Sequence, residues 1–171
     1  MDASAVKELL DNLHQSHFKI DEAAYQKALA FIDQHPDRMF DRKNMHGHFS
    51  ASAYAFQNGR LWFIQHPYLH TILLPAGHVE PGEQPLMTAQ REFREETGFA
   101  THPVADALHG LRDLNIINIP ANPIKNEGAH FHVDLRYALT ISPQQRSEAE
   151  LPSFLIDRSN APGEFHKYFD Q

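Results

Sequence analysis

The chain has no cysteine among its 171 residues, which excludes disulfides, thiolate metal sites and cysteine nucleophiles. No apolar run approaches the roughly 20 residues that a membrane-spanning helix needs. The first residues are acidic and polar, so they do not have the basic and then apolar layout of a secretory signal. A cytoplasmic location with no membrane partner is therefore expected.

Dense clusters of Lys and Arg are also missing, and the formal net charge is −7. Nonspecific nucleic-acid binding depends on such clusters, so a nucleic-acid partner is not expected. Hydrophobic residues make up 42% of the chain, which is enough for a core, and the length fits one domain with a modest extra segment. An acidic protein can still handle phosphates when bound metal ions supply positive charge.

The N-terminal part of the chain has the spacing of two helices. Apolar residues recur at intervals of three and four over residues 3–17 and 21–34. Asp21 is a candidate N-cap for the second helix. So short a segment cannot bury a core of its own. We therefore expect residues 1–40 to form a helical extension that packs on a domain of residues 41–171.

The pattern changes to alternation after the extension. Strands are predicted at residues 48–56, 61–65, 71–74, 103–108, 114–119 and 129–141. Asn58-Gly59 is a strong hairpin signal between the first two, and Pro143 is expected to stop the last. Residues 154–156 and 164–170 of the ambiguous tail are candidates for a packed segment and a short helix.

Residues 85–97 give the strongest helix prediction in the chain. Pro85 suits a first turn, and Gly98 stands where a glycine commonly closes a helix. An apolar stripe is formed by Leu86, Ala89 and Phe93. This stripe is expected to face the core.

The same helix carries three carboxylates on another face, because Glu92, Glu95 and Glu96 fall together at about 100° per residue. Such a cluster is self-repulsive by a few tenths of a kcal/mol for each close pair. Solvated acidic faces usually intersperse lysines, whereas this one has only Arg91 and Arg94. A hard divalent cation, which prefers oxygen ligands, explains the cluster better than a solvated face does.

The segment that contains this helix resembles the Nudix box: Gly, five residues, Glu, seven residues, and then Arg-Glu-apolar-x-Glu-Glu-x-Gly-apolar. The fixed positions are all filled, by Gly77, Glu83, Arg91, Glu92, Phe93, Glu95, Glu96, Gly98 and Phe99. Phe93 and Phe99 stand where aliphatic residues are usual. The resemblance implies an α/β (α+β) Nudix fold, a mixed β-sheet sandwich flanked by helices.

The resemblance also implies the reaction: hydrolysis of a diphosphate bond in a small nucleotide-like substrate by water, assisted by Mg2+ or alternatively Mn2+. The expected metal ligands are Glu92, Glu95 and Glu96, with the backbone carbonyl of Ala76 or Gly77. A catalytically silent Nudix domain that binds a ligand or partner is the alternative. Such domains usually lose box glutamates, and this chain keeps them all.

Other box positions have implied structural and catalytic roles. In the family, the positions of Glu83 and Arg91 form an ion pair that pins the loop to the helix. Which carboxylate takes the proton from water is not readable, so the metal-binding glutamates are catalytic candidates. Glu127, in the loop of residues 122–128, is a further candidate base, and an ordinary solvated loop residue is the alternative for it.

A second polar group lies outside the helix, where His130, His132, Asp134 and Arg136 share one face of the last long strand. In Nudix folds a sheet face lines the substrate cleft, so this row is predicted to contact substrate. A structural hydrogen-bond network around Asp134 is the equal alternative. A zinc site on the two histidines ranks lower, because it needs further ligands. His78 is a candidate to approach the phosphates, with a surface histidine as its alternative.

The sequence leaves the substrate open among nucleoside triphosphates, nucleotide sugars and dinucleotides. Aromatic candidates for stacking on a base, each more often a core residue, are Tyr54, Phe56, Trp62, Tyr68 and Tyr137. A monomer or a homodimer is expected, and the N-terminal helices are a candidate dimer surface.

Overall fold

Two capped helices form the N-terminal extension in a computed structural model that describes residues 1–66, 71–123, 126–145 and 147–170. Helix α1 covers Ala3–His14 and helix α2 covers Glu22–Gln34. The Asp21 side chain accepts a hydrogen bond of 2.8 Å from the Ala23 amide. The predicted N-cap is therefore confirmed, and it fixes where α2 begins.

Strands dominate the rest of the described chain. They are β1 His48–Tyr54, β2 Phe56–Gln57, β3 Arg60–Gln65, β4 Ile72–Leu73, β5 Ala76–His78, β6 Phe99–Pro103, β7 Leu111–Ile119, β8 His130–Gln145 and β9 Ser153–Ile156. Helix α3 covers Pro85–Thr97, and a 3₁₀ helix covers Gly163–Asp170. Asn58 and Gly59, both at positive φ, make the predicted turn between β2 and β3.

The strands form two sheets. One has the order β5-β1-β8-β6 with β7 also paired to β8, and the other has the order β2-β3-β4 with β9 paired to β3. β1 and β8 run parallel, whereas their other neighbours are antiparallel, so the first sheet is mixed. Helices and a mixed sheet in one unit agree with the predicted fold class.

One face of the first sheet carries the helices. Phe49 of β1 and Leu135 of β8 share a hydrophobic core with Leu10 of α1, Phe31 of α2 and Phe93 of α3. Successive strand residues point to opposite faces, so the polar residues of β1 and β8 face away from the helices. The sheet therefore separates the carboxylate helix from the polar row on β8.

Two strand boundaries predicted from the sequence are wrong. The strand expected at residues 103–108 lies at 99–103 instead, directly after α3. Pro143 does not stop β8, which continues to residue 145 beside β6. The ladder between β8 and β6 is irregular at this point, and a proline, which has no amide to donate, is tolerated at such a bulge. The break predicted after the strand at 61–65 includes Pro67 and Tyr68, and residues 67–70 lie outside the described residues.

None of the described helices is long and apolar enough to cross a membrane. The cytoplasmic location and the oligomeric state stay predictions. The division of the chain near residue 40 also stays a prediction. The helices before that residue share one hydrophobic core with the sheet.

Truncating a buried leucine of α1 tests whether the extension is part of the folded unit. Leu10 is fully buried in the shared core, so Leu10→Ala should lower the free energy of unfolding by about 2–5 kcal/mol. Urea denaturation followed by circular dichroism measures it. The control is Asn12→Ala, an exposed position of the same helix, which should change stability by less than about 0.5 kcal/mol. Equal stability of the two variants would show that α1 does not pack on the sheet.

Candidate active site

Local sequence signals determine where the carboxylate helix begins and ends. Pro85 opens α3, and Gly98 closes it with a left-handed φ of 78°. The predicted bounds are therefore confirmed. Ala89 and Phe93 are fully buried, which orients the helix on the sheet and turns its acidic face toward β5.

The Arg91 guanidinium joins α3 to the loop that precedes it. Its Nε lies 2.8 Å from Oε1 of Glu83, and its Nη2 lies 3.1 Å from Oε2, so the pair is bidentate. Nη2 also donates to the His78 carbonyl at 3.2 Å, and Thr88 donates its hydroxyl to Glu83. The hydrogen bond from Arg91, as the largest cause, and the one from Thr88 lower the pKa of Glu83.

The same guanidinium also reaches two carboxylates of the acidic face. Nη1 lies 2.5 Å from Oε1 of Glu92 and 3.0 Å from Oε2 of Glu95. Counting Glu83, one positive charge contacts three negative ones. The cluster keeps an excess of negative charge that Arg91 cannot balance.

Glu96 lies apart from Arg91 and is the most buried of these carboxylates, at 9% exposure. Its Oε2 accepts a hydrogen bond of 3.1 Å from the Ala76 amide. Burial and then the charge of Glu92 raise the pKa of Glu96 to about 8, and burial also raises the pKa of Glu92. Glu96 therefore needs a positive partner to stay ionised in this position, and Glu92 needs more positive charge than Arg91 supplies.

Strand β5 comes close to the carboxylates. A Cβ added to Gly77 would stand 1.9 Å from Oε1 of Glu92, so only glycine leaves room for that carboxylate. Ala76 is tied to Glu96 through its amide. Carboxylate oxygens gathered beside a backbone strand, with too little positive charge, are a donor set that fits a hard divalent cation.

The polar row of β8 divides into two parts, of which the first is a charged network. Asp134 accepts hydrogen bonds from the hydroxyls of Ser50 at 2.9 Å and Ser52 at 2.7 Å, and from Nε of Arg136 at 3.1 Å. All of these residues are buried. The Asp134–Arg136 pairing expected of a structural network is present, and substrate contact by the row stays a prediction.

Tyr168, from the 3₁₀ helix, extends this network. Its hydroxyl accepts from Nη1 of Arg136 at 2.7 Å and donates to Oδ2 of Asp113 at 2.6 Å. Lys167 also pairs with Asp113. Tyr168 is not among the residues predicted from the sequence, because one aromatic residue in an ambiguous tail gives no signal of such a contact.

The second part of the row is a group of histidines. The Nε2 atoms of His130 and His132 lie 3.2 Å apart. The centroid of the His48 ring, from β1, lies 4.4 Å from the ring centroid of His132 and 4.9 Å from that of His78. Burial lowers the pKa of His48 and lowers that of His132 to about 3. His48 was not singled out from the sequence, because its position opposite His132 depends on the β1–β8 register.

Glu127 lies in the loop between β7 and β8, in a short bridge with Asn122. It is half-buried, and its candidacy as a base stays a prediction.

The aromatic candidates for base stacking are mostly in the interior. Tyr54 and Tyr137 are buried and Trp62 is half-buried, whereas Phe56 is 37% exposed. Tyr68 lies outside the described residues. An open pocket of about 580 Å³ has Tyr54 and Phe56 in its lining, but none of the α3 carboxylates.

Comparison with known proteins gives a consistent result. A family model described as NUDIX domain matches residues 47–153. A curated relative from Lactococcus lactis subsp. cremoris is 52% identical over 120 residues, which is 70% of each chain. That protein is named "Probable DHNTP pyrophosphohydrolase".

A search of solved structures also returned matches of low sequence identity. A NUDIX-family hydrolase from Clostridium perfringens is 16% identical, with a TM-score of 0.48 over 74% of this chain and 97% of that one. A UDP-X diphosphatase is 14% identical, with a TM-score of 0.49 over 95% of this chain and 86% of that one.

Adding one methyl group at Gly77 tests the cation site. In Gly77→Ala the new Cβ must displace the Glu92 carboxylate, so the affinity for Mg2+ should fall about tenfold or more. Isothermal titration calorimetry measures the affinity, and circular dichroism checks the fold. Gly163→Ala is the control, because a Cβ there meets nothing within 4 Å. Equal Mg2+ affinity of both variants would argue against Glu92 as a ligand.

Proposed function

The chain belongs to the Nudix family and is a hydrolase of pyrophosphate bonds, and we propose that its substrate is dihydroneopterin triphosphate or a close relative of it. The observation that carries this proposal is the 52% identity to a relative named for DHNTP pyrophosphohydrolysis. The bond that breaks is the α–β anhydride: a water oxygen adds to one of its two phosphorus atoms, the bridging oxygen stays on the other, and the products are the monophosphate and pyrophosphate. The water proton passes to a base.

The proposed metal site consists of Glu92, Glu95 and Glu96, with the carbonyl of Ala76 or Gly77 as a further ligand. Its support is the excess of carboxylate charge around Arg91 and the close approach of β5 to Glu92 and Glu96. We propose Mg2+ as the ion, with Mn2+ as a substitute of similar coordination. A bound cation would neutralise charge on the diphosphate and lower the pKa of a water molecule.

The residues of the chain then have separate tasks. Glu83 and Arg91 hold the loop on α3, so that β5 keeps its position beside the carboxylates. One carboxylate must accept the proton of the attacking water. The candidates are the carboxylates of α3 and Glu127, which lies in the loop between β7 and β8.

A substrate panel with a matched variant tests the proposed reaction. With Mg2+, dihydroneopterin triphosphate should turn over faster than nucleoside triphosphates, nucleotide sugars, ADP-ribose or dinucleotides. Pyrophosphate should be released, detected as phosphate only after inorganic pyrophosphatase is added. Glu96→Gln should lower kcat by about 10²–10⁴-fold. The Gln side chain keeps an oxygen for the Ala76 amide, so the fold should remain.

The control for that experiment is Glu8→Gln, which makes the same change at an exposed position of α1 and should keep wild-type turnover. Activity retained in Glu96→Gln would overturn the metal-site assignment. Faster turnover of a nucleotide sugar or a dinucleotide would overturn the substrate proposal and leave the reaction class intact.

A second substitution tests the loop base. If Glu127 accepts the proton, Glu127→Gln should lower kcat by about 10²-fold or more with little change in KM. Steady-state kinetics on the best substrate of the panel measures both constants. Unchanged kcat would remove Glu127 from the mechanism and leave the proton with a carboxylate of α3.

A further inference from the structure

We propose that His48, His130 and His132 form a binding site for a divalent transition-metal ion, for which Zn2+ is the reference, separate from the carboxylates of α3. The site goes beyond the hydrolase reaction and does not depend on the substrate. The spacing of His130 and His132 alone is insufficient for zinc, because two residues of one strand leave half of a tetrahedral coordination unfilled. His48, from the neighbouring strand, supplies a third ligand.

Two of the three rings already have the spacing of ligands in a metal centre, and the third lies near them. One ligand nitrogen from each of His48, His130 and His132 can be chosen so that all lie within 4.8 Å of one another. The Nε2 atoms of His130 and His132 are 3.2 Å apart. Two nitrogens at about 2.0–2.1 Å from a tetrahedral ion would be about 3.3 Å apart, so little movement of these two rings is needed.

His48 is the residue that most requires a partner. Its side chain is 1% exposed, and neither ring nitrogen makes a hydrogen bond of normal geometry with a described residue. Burial lowers the pKa of His48, and the Asn44 backbone opposes part of that lowering. Buried polar atoms almost always have a partner, because desolvation without one is costly. A metal ion would satisfy the nitrogen that faces the other rings.

His130 has the support that metal-binding histidines usually have. Its Nδ1 lies 2.8 Å from the Gly128 carbonyl oxygen, which can only accept, so Nδ1 carries the proton. In the neutral ring Nε2 then carries the lone pair, and this is the atom that faces His132. A carbonyl that fixes the tautomer and the orientation of the ring is typical around metal ligands.

The surroundings favour nitrogen coordination. Burial lowers the pKa of His48 and that of His132, so both rings are neutral at neutral pH, which is the form that binds metals. The ring centroid of His78 lies 4.9 Å from that of His48 and 5.1 Å from that of His132. His78 is therefore a candidate fourth ligand. Three or four imidazoles suit Zn2+ better than Mg2+, which prefers oxygen.

The histidine site and the carboxylate site lie on opposite faces of β5. Gly77 faces Glu92 of α3, and alternation along the strand turns the side chain of His78 the other way, toward His48. The two sites therefore differ in their residues, in their donor atoms and in the face of the sheet that they occupy. Separate substitutions can test them.

The experiment titrates Zn2+ into the full chain without an affinity tag, after treatment with EDTA, and uses calorimetry. Visible absorption of Co2+ is a second probe, since tetrahedral coordination gives a characteristic spectrum. One equivalent of Zn2+ should bind to the wild type. It should also bind to the Glu92→Gln/Glu96→Gln double variant, in which the carboxylate site is disabled.

Substitutions in the cluster should then weaken binding. His132→Asn and His48→Gln should each lower the Zn2+ affinity by about 100-fold or more. His17→Asn, at an exposed histidine of the N-terminal extension, is the control and should bind like the wild type. Circular dichroism and thermal denaturation report whether each variant folds. If the buried positions do not tolerate change, His130→Asn, at a half-buried ring, decides the result.

Several outcomes would overturn the proposal. They are no Zn2+ binding by the wild type, binding lost in the carboxylate double variant, and unchanged affinity in the folded histidine variants. In those cases His130 and His132 form a simple hydrogen-bonded pair, with the His132 Nε2 proton donated to His130. None of these measurements includes substrate, so the proposed hydrolysis can fail or hold independently.

Discussion

The guanidinium of Arg91 donates to the carboxylates of Glu83, Glu92 and Glu95, and to the carbonyl of His78. The position of the loop and the direction of the acidic side chains both depend on these bonds. A planar fork with several fixed donors can make them together, whereas the ammonium group of a lysine could not. Since one positive charge faces three negative ones, the same arrangement that holds the loop leaves negative charge for a cation to balance.

Strand β5 is the second part of this arrangement, although it has only three residues. Ala76 donates its amide to Glu96, Gly77 leaves room for Glu92, and His78 gives its carbonyl to Arg91. The whole strand is thus in contact with α3 or with the arginine that α3 carries. Pairing with β1 places β5 in the sheet, so the acidic helix faces a hydrogen-bonded strand rather than a loop.

The parts of this site that the sequence predicts are those set by local geometry. The angle of 100° per residue places Glu92, Glu95 and Glu96 on one face whatever surrounds the helix, and Pro85 and Gly98 act on the turn they occupy. Pairing between distant strands has no such local signal. His48 meets His132 only through the β1–β8 register, and β5 is too short to show a period. Tyr168 reaches Asp113 across 55 positions of the chain, which no pattern near either residue could predict.

The polar face of the first sheet differs along its length in how well its groups are satisfied. Asp134 and Arg136 neutralise each other, and the serines of β1 and Tyr168 complete their hydrogen bonds. Such a pair is stable without a ligand, because its desolvation is compensated inside the protein. Farther along the sheet, burial lowers the pKa of His132 on β8 and of His48 on β1, and His48 has no ordinary hydrogen bond to a described residue. A bound ligand would therefore satisfy more polar atoms at the histidine end than at the charged network. Because the atoms there are imidazole nitrogens, a transition-metal ion is the ligand that suits them.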